Sequence, residues 1–134
     1  MQKLNTILLV DDDEATNFLN ELIIKKLDIA ENILVARNGR EAITLIRQLC
    51  EAQQGNPGLP ELVLLDINMP VLDGFGFLKA FEELSCPGKE GVQIVLLSTS
   101  LNTKDVERAK EYVIKGFLNK PLSSQQLSSL LEES

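Results

Sequence analysis

Apolar residues along the chain come in two rhythms that alternate. Short continuous runs, Thr6 to Val10 (TILLV), Asn32 to Ala36 (NILVA), Glu61 to Asp66 (ELVLLD), Val92 to Leu97 (VQIVLL) and Gly116 to Asn119 (GFLN), read as strands. Runs that do not alternate with polar residues belong to strands covered on both faces. Between them, apolar residues recur at three- and four-residue intervals. Phe18, Leu19, Leu22, Ile23 and Leu27 place a helix over residues 14–27 with those five on its core stripe. Ala42, Ile43, Ile46 and Leu49 place a second helix over residues 40–52. Further helices are predicted over about 75–84, over 104–113 after a cap at Asn102 or Thr103, and over 123–132. Gly and Pro mark Gln53–Pro60 and Cys86–Gly91 as loops, and Asp73-Gly74 as a turn and helix start.

Five strand–helix units in succession demand a parallel sheet with right-handed crossovers and helices on both faces. The expected fold is α/β, a flavodoxin-like (βα)5 three-layer sandwich with strand order 2-1-3-4-5. With 134 residues, the reading is one domain over 1–134, with no output domain.

In such sheets ligands bind beyond the carboxyl ends of the strands. There the chain places Asp11 and Asp12 after strand one, Asp66 after strand three, Ser98 after strand four and Lys120 after strand five. Crowded carboxylates disfavour one another's charge unless a cation joins them. A hard divalent ion with oxygen ligands, Mg2+, answers that conflict. Lys120 and the Ser98 hydroxyl could then hold phosphoryl oxygens. These parts fit phosphoryl transfer onto a carboxylate, with Asp66 as nucleophile. Asp13, third in the LLVDDDEA stretch, reads equally well as a helix N-cap.

Composition narrows the field. Net charge is −7, which opposes nonspecific nucleic-acid binding. There is no His, which removes His-based triads and zinc sites. No apolar run approaches a membrane span, and MQKLNTILLVDDDE has no signal-peptide pattern, so a cytoplasmic location is expected. The two cysteines, Cys50 and Cys86, are expected to be free thiols there.

The segments LLVDDD, LVLLDINMPVLDGF, IVLLSTS and GFLNKPL, in that order, resemble the receiver domain of two-component response regulators. The resemblance covers nearly the whole chain, and it implies a set of roles. Asp66 is the phosphoacceptor. Asp12 ligates Mg2+ directly, Asp11 acts through a metal-bound water, and Asn68 offers its backbone carbonyl. Ser98 and Lys120 hold the phosphoryl oxygens. Phe117 stands at an aromatic switch position where Tyr is commoner, and Lys120-Pro121 is implied to be cis. The implied function is a switch rather than a turnover enzyme. Its donor is a sensor histidine kinase or histidine phosphotransfer protein. Its downstream protein partner docks on the helix 4–strand 5–helix 5 face, with no contact to nucleic acid or membrane. Two alternatives stay open. One is a receiver-like interaction module not regulated by phosphorylation. The other is a small aspartate-nucleophile phosphatase, although such enzymes carry an Asp two residues after the nucleophile, where this chain has Asn68.

Overall fold

A computed structural model describes residues 3–52, 58–69, 71–99 and 102–132. The element order is β1 (Leu4–Val10), α1 (Glu14–Leu27), β2 (Ala30–Ala36), α2 (Gly39–Ala52), β3 (Leu62–Asp66), α3 (Gly74–Glu83), β4 (Gln93–Ser98), α4 (Thr103–Ala109), β5 (Gly116–Asn119) and α5 (Ser124–Glu132). All pairings are parallel and the order is β2-β1-β3-β4-β5, as the alternating rhythms require. Part of the expected Gln53–Pro60 loop lies outside the described residues. The other expected loop contains a single 3₁₀ turn, Lys89–Gly91.

The pleat divides the core in two. Leu8, Val10, Val63, Leu65, Ile94 and Leu96 face α2 and α3, where Ile43, Ile46, Phe77, Leu78 and Phe81 cover them. Their strand neighbours Ile7, Leu9, Leu62, Leu64, Val95 and Leu97 face the other way, onto Ile24 of α1 and Leu127 of α5. Every residue of β3 is buried, as a central parallel strand requires.

The helix ends follow the chain's short polar residues. Asp13 caps α1, its carboxylate accepting from the Ala15 N–H at 3.1 Å and the Thr16 hydroxyl at 2.8 Å. Asp73 caps α3 through the Gly76 N–H, and Asn102 caps α4 through the Asp105 N–H. Ser123 and Gln126 satisfy each other's backbone N–H groups at the start of α5, a capping box. These agree with the expected start of each helix, and Asn102 is the one of the two candidate caps that is used.

Three expectations need correction. Helix α1 does not bury the five-residue apolar stripe. Its buried residues are Asn17, Asn20 and Ile24, while Phe18, Leu19 and Leu22 are 60%, 57% and 47% exposed. The helical period was right, but the phase facing the sheet is set by where β1 delivers the chain. Helix α4 stops at Ala109, short of Val113, because the chain must turn back to seat the Lys115 N–H on the Ile94 carbonyl at 2.7 Å and begin β5. The cysteines are not free. Cys50, in the last turn of α2, is disulfide-bonded to Cys86, which follows α3, with Cα atoms 6.0 Å apart. Spacing along the chain could not reveal that pair, because α2 and α3 become neighbours only once the sheet forms.

Val71, in the β3–α3 connection, has φ 71 and is 72% exposed. A β-branched residue in the left-handed region is strained, and Asn adopts that region far more readily. Val71→Asn is therefore expected to stabilise the fold by about 1 kcal/mol, read as a higher urea midpoint at unchanged slope. A lowered midpoint would show that the valine side chain contributes packing its exposure conceals.

Candidate functional site at the carboxyl ends of the strands

Four strand ends converge. Strand β1 runs on through the Asp11 N–H, which bonds the Ala36 carbonyl of β2 at 3.1 Å. The Asp11 carboxylate folds back to accept the Asp13 N–H at 2.9 Å, which starts the turn into α1. The side-chain amide of Asn17, one turn into α1, donates to the Asp11 carbonyl at 2.9 Å. Asp11 is thus buried and held from both sides, whereas Asp12 projects to solvent.

Strand β3 brings in Asp66, also buried, with Asp66 opposite Leu97 of β4. Its Oδ1 accepts the Asn68 N–H at 3.2 Å. Helix α3 begins almost on top of this strand end. The Gly74 N–H bonds the Ile67 carbonyl at 2.9 Å, and a Cβ on Gly74 would lie 2.9 Å from the Asp66 carbonyl oxygen. Glycine is required there by close approach.

Ser98 ends β4, is buried, and pairs with Asn119 of β5. The next step of that ladder, the Lys120 N–H to the Ser98 carbonyl at 2.9 Å, fixes where the lysine leaves the sheet. The Lys120–Pro121 bond is cis, as the resemblance implies. The Lys120 ammonium lies 2.7 Å from Asp11 Oδ2 and 3.3 Å from Asp66 Oδ2. Phe117 sits earlier on β5, opposite Leu96, half-buried and packed against the α2–α3 side of the core.

The electrostatics follow from this packing. Burial and the neighbouring Asp11 charge push the Asp66 carboxyl above its ordinary value, only partly offset by Lys120. For Lys120 burial acts to lower the value, but Asp11 and then Asp66 outweigh it, so the ammonium is raised and stays charged at neutral pH. Asp13 is lowered by its hydrogen bonds to Thr16 and Ala15, consistent with a cap.

Asp11, Asp12 and Asp66 each offer a carboxylate oxygen, and these lie within 4.8 Å of one another. Three carboxylates against one ammonium leave two negative charges uncompensated. A divalent, oxygen-seeking ion matches that charge and donor set, so the residues fit Mg2+. The structure brings together Asp11, Asp12, Asp66 and Lys120, with Ser98 and the Asn68 backbone alongside; Phe117 stays apart. Reasoning from sequence missed Asn17, which lies on the same buried face of α1 as Asn20 and Ile24. With other polar residues in the first turn, nothing in the sequence sets it apart.

A doubly wound sheet with an acidic cluster and a lysine at its carboxyl edge defines a phosphoacceptor signalling module of the receiver class. The chain belongs to the response regulator receiver domain family, whose model matches residues 7–132. It is 29% identical over 126 residues to the response regulator Rcp1 of Synechocystis, spanning 94% of this chain and 83% of that one. It is 32% identical over 130 residues to the probable methanogenesis regulatory protein FilR2 of Methanothrix harundinacea, spanning 95% and 79%. Among solved structures, a two-component response regulator from Cytophaga hutchinsonii superposes with a TM-score of 0.85 at 31% identity, covering 98% of this chain and 97% of that one. Receiver domains are signalling modules that partner histidine kinases. Among the described residues, no helix is long and apolar enough to cross a membrane.

A raised folded-state carboxyl contributes stability that is present at low pH and is lost as pH rises through its folded value. Ionised Asp66 therefore destabilises the metal-free protein at neutral pH. Asp66→Asn should raise the metal-free melting temperature at pH 7, and the advantage should shrink as the pH falls and wild-type Asp66 takes up its proton. A lower melting temperature for the variant at pH 7 would mean that the Lys120 contact outweighs burial and repulsion.

Proposed function

We propose that Asp66 accepts a phosphoryl group from a sensor histidine kinase or a histidine phosphotransfer protein, and that the resulting aspartyl phosphate switches protein contacts in the cytoplasm. The observation that carries this reading is Lys120, whose ammonium touches both buried carboxylates, Asp11 and Asp66, beside an acidic cluster with room for a divalent ion. An Asp66 oxygen attacks phosphorus in line with the donor histidine nitrogen. The P–N bond breaks, and its electrons return to the imidazole. Asp12, Asp66 and the Asn68 backbone carbonyl would hold Mg2+, with Asp11 acting through a water. When bound, the ion supplies charge neutralisation and orientation of the phosphoryl group. Lys120 stays in place as one pole of the site and holds one phosphoryl oxygen, and the Ser98 hydroxyl holds another.

The absence of His from this chain requires the phosphohistidine to come from a partner. A docking surface is present beside the site. The exposed Leu19 and Leu22 of α1 line a groove of about 610 Å3 whose other wall is Thr99, Lys120, Pro121 and Leu122. An apolar helix face of the donor protein fits such a surface. Downstream contacts are assigned to the α4–β5–α5 face, where Phe117 shifts by packing alone because it lacks a hydroxyl. The switch is a population shift driven by a new local charge.

Incubation with Mg2+ and acetyl phosphate tests the reading. The expected result is a hydroxylamine-labile adduct of one phosphoryl group, absent in Asp66→Ala and slowed at least about tenfold in Lys120→Ala, since charge-stabilising groups in phosphoryl transfer contribute orders of magnitude. An equal adduct yield in Asp66→Ala, or no adduct in the wild type, would remove the assignment. Steady release of phosphate from monoesters would favour the phosphatase instead.

A further inference from the structure

The disulfide sits at the other end of the sheet from Asp66. Strand β3 enters at Leu62 and ends at Asp66, and the Cys50–Cys86 bond lies beside its entry. There it joins the end of α2 to the segment after α3, across 36 residues of sequence. Helix α2 depends on that link. Among the described side chains of α2, the buried apolar ones are Ala42, Ile43 and Ile46, all in the first two-thirds of the helix. In the last turn Leu49 and Cys50 are only half-buried, Glu51 is exposed, and no basic side chain complements the helix dipole. The opposite end of α2 is fastened separately, by the Gly39 N–H to the Leu72 carbonyl at 2.9 Å. The disulfide therefore fastens the end of α2 at which the described side chains are least buried.

The bond is also reachable. Cys50 lines a solvent-open cleft of about 460 Å3 whose walls include Pro60, Pro87, Gly88 and Val92. A small thiol entering that cleft meets Cys50 first, since Cys86 is 8% exposed. In the reducing cytoplasm assigned under the proposed function, on which this step rests, a disulfide that forms at all is redox-responsive rather than a permanent staple.

We propose that Cys50 and Cys86 form a reversible thiol–disulfide site, a second covalent input that exchanges with low-molecular-weight disulfides and orders the end of α2. The chemistry balances without another reactant. The Cys50 thiolate attacks one sulfur of the small disulfide and releases the first small thiolate. The Cys86 thiolate then attacks the Cys50 sulfur of the mixed disulfide and releases the second. Two protein thiols are oxidised by two electrons, one small disulfide is reduced, and the two protons pass to the released thiolates.

The test is a redox titration of the full chain in glutathione buffers graded from fully reduced to fully oxidised. Samples are acid-quenched, alkylated with N-ethylmaleimide and weighed intact. The expected result is a reversible, single two-electron transition between a doubly alkylated and an unalkylated protein, with its midpoint inside the glutathione range. Amide exchange over residues 47–51 should slow several-fold on oxidation, and Cys50→Ser, which cannot form the bond, should show no slowing. Three outcomes overturn the proposal: a chain that stays dithiol in oxidised glutathione, a chain that accumulates glutathione on both cysteines, and a chain that stays cross-linked in excess reduced glutathione. Asp66→Ala should titrate like the wild type. The redox result and the phosphorylation result therefore fail separately.

Discussion

The contact between the Lys120 ammonium and the two buried carboxylates, Asp11 and Asp66, is the interaction on which the site depends. A lone buried carboxylate is costly, and two side by side are costlier. The sheet makes the arrangement tolerable by geometry. Pairing of β4 with β5 continues one step to the Lys120 N–H and the Ser98 carbonyl, and this delivers the ammonium to the acids on β1 and β3. One positive charge is not enough for three carboxylates. The remaining imbalance leaves Asp66 reluctant to ionise and the cluster ready for a divalent cation. The same imbalance would link stability to the proposed function, because what weakens the metal-free fold is what a bound divalent ion would relieve.

Around this centre the fold spends its most constrained backbone. Gly74 lets α3 begin against the Asp66 carbonyl, and Gly39 lets α2 approach the Leu72 carbonyl, where a Cβ would lie 2.5 Å away. Asn17 ties α1 to the end of β1. Helices α1, α2 and α3 are thereby each fastened to a strand end or to the β3–α3 connection by a direct contact. A charge added at Asp66 would act on these fastened elements rather than on a loose loop.

Much of this was legible in the sequence because strands buried on both faces write continuous apolar runs, and because the chemistry sits where those runs end. LLVDDD and LVLLD announce both the strand and the acid that follows it. The caps Asp13, Asp73 and Asn102 were legible for the same local reason. What was not legible depends on tertiary placement. Helical periodicity in α1 reports a stripe but not which side the sheet takes, so Phe18, Leu19 and Leu22 read as core and lie at the surface. The Cys50–Cys86 bond joins elements that no sequence spacing relates. The short α4 reflects the demand of β5 for its first residues, which propensity over residues 110–113 does not encode.

The central claim is that a divalent cation completes the charge balance of Asp11, Asp12, Asp66 and Lys120. Calorimetric titration of Mg2+ into the wild type and into Asp12→Asn measures it most directly. The account predicts one ion bound per chain in the wild type, a melting temperature that climbs with Mg2+ concentration as ligand linkage requires, and loss of both in Asp12→Asn. Equal binding by the two proteins, or no binding by the wild type at millimolar Mg2+, would contradict it.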